Sequence, residues 1–151
     1  MKYAQITKKY YPDNKAVENL VWRLSSGTLP QSEWGHSARL TLILWAVRHY
    51  AHHDALHFVR ETFKKYHRKT LGFVASKRKG YHETRTLFWV WAVRKYALVY
   101  DEGQDISEFA NDLVNSDLSD ETLINAYYNS VTLESEEARR HWVQPDLRAL
   151  D

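Results

Sequence analysis

Two stretches of the chain nearly repeat each other, and a repeat constrains architecture before any other feature does. Residues 36–51 align with residues 82–97 without a gap, the offset being that between His36 and His82. Half of the aligned positions are identical: His36/His82, Arg39/Arg85, Trp45/Trp91, Ala46/Ala92, Val47/Val93, Arg48/Arg94, Tyr50/Tyr96 and Ala51/Ala97. Both copies are apolar nearly all round over 40–47 and 86–93, a pattern shared by buried strands and buried helices. Their flanks continue without turn residues for a whole helical length, which selects helix. Helices apolar on every side belong in the middle of a bundle.

The rest of the chain reads as helical too. Glycine (5) and proline (3) are scarce and fall at boundaries. A first helix is expected over 14–25, with Val17, Leu20, Val21 and Leu24 on one stripe and Gly27 as its stop. Ser32 is the expected N-cap of a second helix that runs to Tyr50. A third is expected over 54–68, with the stripe Leu56, Val59, Phe63 and Tyr66, and a fourth over 81–100. Three shorter helices are expected at 105–116, 119–129 and 135–143, followed by a packed tail carrying Leu147 and Leu150. The predicted fold is all-α: a single domain, residues 1–151, built as a bundle of two similar helical hairpins plus C-terminal helices. At 151 residues such a chain buries enough surface to need no staples.

The totals exclude several function classes. With no cysteine there is no disulfide, thiolate metal site or thiol nucleophile. No signal-peptide core opens the chain, and the longest apolar run, 87–93, is too short to cross a bilayer. A cytoplasmic protein is expected, with no membrane partner. Glycine-rich phosphate loops, Gly-x-Ser-x-Gly elbows, His-Glu-x-x-His pairs and repeated Glu-x-x-His pairs are all missing. Net charge is only +2, but its distribution is uneven. Residues 64–94 are rich in Lys and Arg and hold one acid, Glu83, whereas 101–137 are acidic and hold no Lys or Arg.

Two hairpins with short loops place the second and fourth helices parallel. Their N-termini then share one end of the bundle, and His36 and His82 each begin an inward stripe: His36, Leu40, Ile43, Val47 and His82, Thr86, Trp89, Val93. Helix N-termini attract anions and favour neutral imidazoles. Neutral histidines can ligate metal, accept a proton or donate a hydrogen bond. A pocket for a small anionic molecule is expected at this end. His82 is the candidate general acid or base, or a ligand contact, with His36 as its partner. Glu83 is placed to orient an imidazole or to hold a metal. Arg39, Arg85 and Lys79 would steer an anion, and Trp34, Tyr81 and Trp89 would line the pocket. His36, His82 and Glu33 offer nitrogen and oxygen donors to a divalent metal, the one cofactor the residues suggest. The adjacent His82 and Glu83 project about 100° apart on a helix, so they cannot both point inward. A plainer reading stays open: the two histidines are matched helix-start residues that hydrogen-bond a loop carbonyl.

Other constellations read as structural. His49, His52, His53 and His57 cluster where the second helix breaks, a solvated corner. Arg48 and Arg94, like Arg39 and Arg85, lie on otherwise apolar helices and need acidic partners from the 101–122 region. The alternative to a small-molecule enzyme or binding protein is a non-catalytic interaction module using the basic 64–85 surface, on nucleic acid or an acidic protein. No nucleic-acid-binding signature and no large net charge back nucleic acid.

Trp34-Gly35-His36 with Arg39-Leu40, then Gly80-Tyr81-His82-Glu83-Thr84 leading into Phe88-Trp89, resembles an uncharacterised family of small helical bacterial proteins. The ending Glu137-Ala138-Arg139, Trp142-Val143 and Pro145-Asp146-Leu147 belongs to the same resemblance, which spans most of the chain. It implies a compact helical fold and no activity. It also implies a second histidine where this chain has Arg39, a departure that counts against a two-histidine metal site on the second helix.

Overall fold

The computed structural model describes residues 9–72, 80–99 and 103–151. Among the described residues seven α-helices form the fold: α1 (Asn14–Ser26), α2 (His36–His49), α3 (His52–Lys69), α4 (Glu83–Ala97), α5 (Ile106–Val114), α6 (Ser130–Leu133) and α7 (Glu136–Arg140). Short 3-10 segments occupy Gln31–Glu33, Asp117–Ser119 and Glu121–Ala126. Among the described residues there is no strand, and no helix is long and apolar enough to cross a membrane.

The all-round apolar helices lie at the centre. α2 packs on α1, α3, α4 and α5, burying Ala38, Ala46 and every residue from 40 to 44. α4 buries Thr84, Thr86, Phe88, Trp89, Val90, Ala92 and Val93. α1 turns its predicted stripe of Val17, Leu20, Val21 and Leu24 to the core. Gly27, at φ 76°, closes α1 with paired bonds from Gly27 N to Leu24 O (3.1 Å) and Thr28 N to Arg23 O (2.8 Å), the left-handed cap that glycine adopts without strain. The end of α3 is sewn to this cap by Lys65 Nζ on Ser25 O (3.1 Å), Lys69 Nζ on Ser26 O (2.8 Å) and Thr70 Oγ1 on Gly27 O (2.8 Å).

Several expected boundaries differ, among them the end of the helix expected at 135–143, which stops at Arg140. Ser32 does not cap α2: residues 31–33 make one 3-10 turn, Trp34 is extended, and the helix starts after Gly35. α4 begins at Glu83 because the His82 side chain itself is the N-cap, accepting from Arg85 N at 3.1 Å. The helix expected at 119–129 is replaced by 3-10 turns. There Ser116 Oγ takes Leu118 N, and Asp120 Oδ1 takes both Thr122 N and Thr122 Oγ1. Such local side-chain bonds compete with α-helix.

The C-terminal third folds back as a cover. Thr84 Oγ1 donates to His141 O (2.7 Å), Tyr128 Oη donates to Val143 O (2.6 Å), and Asp146 holds Asn129 N and Thr132 Oγ1. Leu150 packs on the core in the tail, whereas Leu147 is exposed, contrary to its expected packing role.

Candidate functional site: an arginine-lined cavity under the C-terminal cover

A cavity of about 570 Å³ opens at the shared N-terminal end of α2 and α4. Side chains from the first two turns of both helices line it: His36, Arg39, Leu40 and Ile43 from α2, and Arg85, Thr86 and Trp89 from α4, with the cap His82. The opposite ends of the same helices, from Arg48 and Arg94 onward, line a separate cavity with Tyr50 and Leu98, so α2 and α4 run parallel. α3 adds Phe63 and His67, the turn before α4 adds Gly80 and Tyr81, and the cover adds Glu121, Thr122, Asn125 and Arg139.

The walls are fixed from behind. Trp34 stacks on Tyr66 at 4.3 Å and 16°, and the Arg39 guanidinium lies 5.2 Å from its ring centre. Tyr66 is fully buried and anchored by its Oη on Leu29 O at 2.7 Å. Trp89 is buried and takes the His36 ring against its side at 4.5 Å.

Both histidines are committed to the cover. His36 Nε2 donates to Leu118 O, and His82 Nε2 donates to Leu133 O, each at 2.8 Å. A carbonyl only accepts, so both rings carry their proton on Nε2. His82 Nδ1 accepts from Arg85 N, so neither nitrogen of His82 is left for a bound molecule. That arrangement is the plainer of the two readings above, and it removes His82 as a ready acid or base. Burial lowers the His36 pKa, partly offset by its bond to Leu118, and burial takes His82 and His67 down to about 4. All three rings are therefore neutral at neutral pH.

The arginines repeat as the histidines do. Arg39 faces Glu121 of the cover at 3.7 Å, and Arg85 faces Glu134 of the cover at 2.7 Å. Each copy of His-x-x-Arg thus grips one stretch of cover with an imidazole on a carbonyl and a guanidinium on a glutamate. Arg139 differs. Its side chain is buried, Nη1 donates to Gly80 O at 3.0 Å, and no carboxylate lies within 4 Å of it among the described residues. Its Nε is buried with no hydrogen-bond partner.

Two expected site residues face elsewhere. Glu83 neither orients an imidazole nor lines the cavity. Arg60 Nε and Nη2 hold it side-on at 2.9–3.2 Å, and Tyr81 Oη donates to it at 2.6 Å. Burial pushes its carboxyl up, but the bonds from Arg60 and Tyr81 outweigh that and leave it below the usual range. The helical offset from His82 accounts for the direction. Glu33, expected as a metal ligand, sits 3.4 Å from Arg23 and outside the cavity lining. Among the described residues no group of three His, Asp or Glu is arranged to hold a metal, and the His49–His57 corner forms no such group either. Lys79, with Lys77 and Arg78, lies outside the described residues.

Three lining residues of weight, His67, Arg139 and Glu121, are not among the expected site residues. His67 follows Phe63 by four on the inward stripe of α3, a signal that could have found it. Arg139 and Glu121 carry no such signal, because their places depend on the folding back of the cover. Of the arginines on the far side, Arg48 donates to Gln104 O and covers Phe109.

Compared with known proteins, the chain matches no family model, no curated protein and no solved structure.

Proposed function

We propose that the protein binds a small anionic molecule in the cavity between α2, α4 and the C-terminal cover. Arg139 carries this reading. A guanidinium cannot shed its charge at physiological pH, and a buried one needs a partner. Arg39 and Arg85 have theirs in Glu121 and Glu134, whereas Arg139 has no carboxylate within 4 Å among the described residues and feels Glu134 only from further off. The neutral histidines add no competing charge, and the cavity falls within the volume range typical of small-molecule sites. The reading is one of binding; no reaction is assigned.

The basic 64–85 surface supports the interaction-module reading less. Lys65 and Lys69 commit their ammonium groups to carbonyls of the α1 cap, and Arg85 pairs with Glu134. These charges serve the fold.

The test is a panel of small carboxylates, phosphates and sulfate, screened for thermal stabilisation of wild type and of Arg139→Gln. A ligand that prefers the native state raises the melting temperature in proportion to the logarithm of its concentration over Kd. Stabilisation of wild type by at least one anion, lost in Arg139→Gln, is the expected result. Equal responses in both proteins, or none in either, would overturn it.

A further inference from the structure

α2 ends at His49 and α3 starts at His52, so the break in the histidine-rich corner falls at Tyr50 and Ala51. His53 and His57 therefore lie on one unbroken helix, α3. Four residues apart, they project from the same face, one turn above the other, with Cβ atoms about 5–6 Å apart. α3 turns its other side, carrying Ala55, Val59, Thr62, Phe63 and Tyr66, to the core, and both histidines are exposed. Neither imidazole makes a hydrogen bond or ion pair among the described residues. His49 differs: its Nδ1 donates to Trp45 O at 2.8 Å and its ring stacks on Trp45 at 4.3 Å.

The charges around the pair favour a cation. Asp54 lies in the first turn of α3, and Glu61 lies one turn beyond His57, leaning only loosely on Lys64 at 3.9 Å. The guanidinium of Arg60, three residues beyond His57, is neutralised by Glu83. The positive end of the helix opposes a cation, but that field fades beyond the first turn. Two imidazoles at i and i+4 on a helix can hold one metal ion from the same side. Imidazole nitrogen suits zinc, nickel and copper, whereas magnesium and calcium want oxygen.

We propose that His53 and His57 chelate one divalent transition-metal ion, of the zinc and nickel class, on the exposed face of α3. Two protein donors leave the remaining positions to water, so this is an open, two-imidazole clip and needs no third side chain. It stands apart from the anion cavity at the start of α2 and α4, and neither reading depends on the other. The pair is brought together only while residues 53–57 are helical. The ion therefore binds the folded chain in preference to the unfolded one and stabilises it.

Titration calorimetry of the full chain without an affinity tag, at neutral pH, with zinc chloride and magnesium chloride tests this. Zinc should bind one to one and raise the melting temperature with the logarithm of its concentration; magnesium should do neither. His53→Gln and His57→Gln should each weaken zinc at least about tenfold, since one of two imidazoles is lost. His49→Gln should leave zinc binding unchanged. Both α3 histidines are exposed and unbonded, so these variants should fold as wild type does, which circular dichroism checks. Four results would each overturn the proposal: a wild type that binds no zinc, zinc binding that survives in both α3 variants, an equal loss in His49→Gln, or magnesium binding as tight as zinc.

Discussion

His36 Nε2 and His82 Nε2, at equivalent points of the repeat, make the same bond: each donates to a backbone carbonyl of the C-terminal cover at 2.8 Å, Leu118 O for one and Leu133 O for the other. The repeat is thereby explained as a pair of clasps. Each copy brings a histidine and, one turn later, an arginine to the same end of the bundle, and the cover is pinned at two points along its length.

The clasps are unequal, which gives a test by mutation. His82→Ala removes both the donor to Leu133 O and the acceptor of Arg85 N, whereas His36→Ala removes one bond. Leaving a buried polar group unsatisfied costs about 1–3 kcal/mol. Urea denaturation should show His82→Ala destabilised by about 2–4 kcal/mol and His36→Ala by about half as much. A His82→Ala protein as stable as wild type would mean that the cover is not held this way.

Acid should loosen the same structure. His82 and His67 fall from the ordinary 6.5 to about 4 on folding, mainly through burial. The unfolded chain then binds protons that the folded chain refuses, so stability is complete above pH 6.5 and falls as the pH drops toward 4. His36, also lowered by burial, acts in the same direction. The two strongly shifted groups together amount to several kcal/mol by the linkage relation, to order of magnitude. Denaturation midpoints measured across that window check this. His82→Asn, which does not titrate there, should show a shallower fall than wild type, and an identical slope would contradict the assignment.

Much of this arrangement was readable from residues alone, and the parts that were not have a common cause. The repeat places two apolar helices side by side and brings Trp34, His36, Arg39, Tyr81, His82, Arg85 and Trp89 to one cavity, because long apolar helices declare their faces by periodicity. Glu83 and Glu33 lie near the site in sequence, but their partners, Arg60 and Arg23, lie on α3 and α1. Arg139 belongs to a helix of five residues, too short to declare a face. It reaches the cavity only because the cover folds back over α4, a long-range event that leaves no local pattern.

Glu83 should prove structural. Glu83→Gln breaks a side-on pair with Arg60 and weakens the bond from Tyr81. Loss of such a partly buried pair should cost about 1–3 kcal/mol in denaturant unfolding. Anion affinity at the cavity should stay within about twofold of wild type, since a change of that size is only a few tenths of a kcal/mol. A variant that folds as stably as wild type but loses anion binding would return Glu83 to the site.

Two glycines with different backbones make a matched pair. Gly27 has φ 76°, and a Cβ there would come within 2.8 Å of Lys69 Cδ. Gly35 is extended, with nothing within 4 Å of an added Cβ. Gly27→Ala should cost about 1 kcal/mol or more, and Gly35→Ala should be close to neutral. Thermal unfolding of the two variants side by side distinguishes them, and equal losses would contradict the cap geometry of α1.

Arg139 is a buried guanidinium with no carboxylate within 4 Å among the described residues, and the anion-binding proposal stands on it. Its side-chain Nε–H can be followed directly in the spectrum of isotope-labelled arginine, with the resonance assigned by its loss in Arg139→Lys. Titration with an anion that stabilises the wild type in the thermal screen should move that resonance, saturating with the same affinity, while the Nε–H of Arg60, already held by Glu83, stays where it is. If the Arg139 resonance does not move while the anion binds, the anion sits elsewhere and Arg139 is not its site.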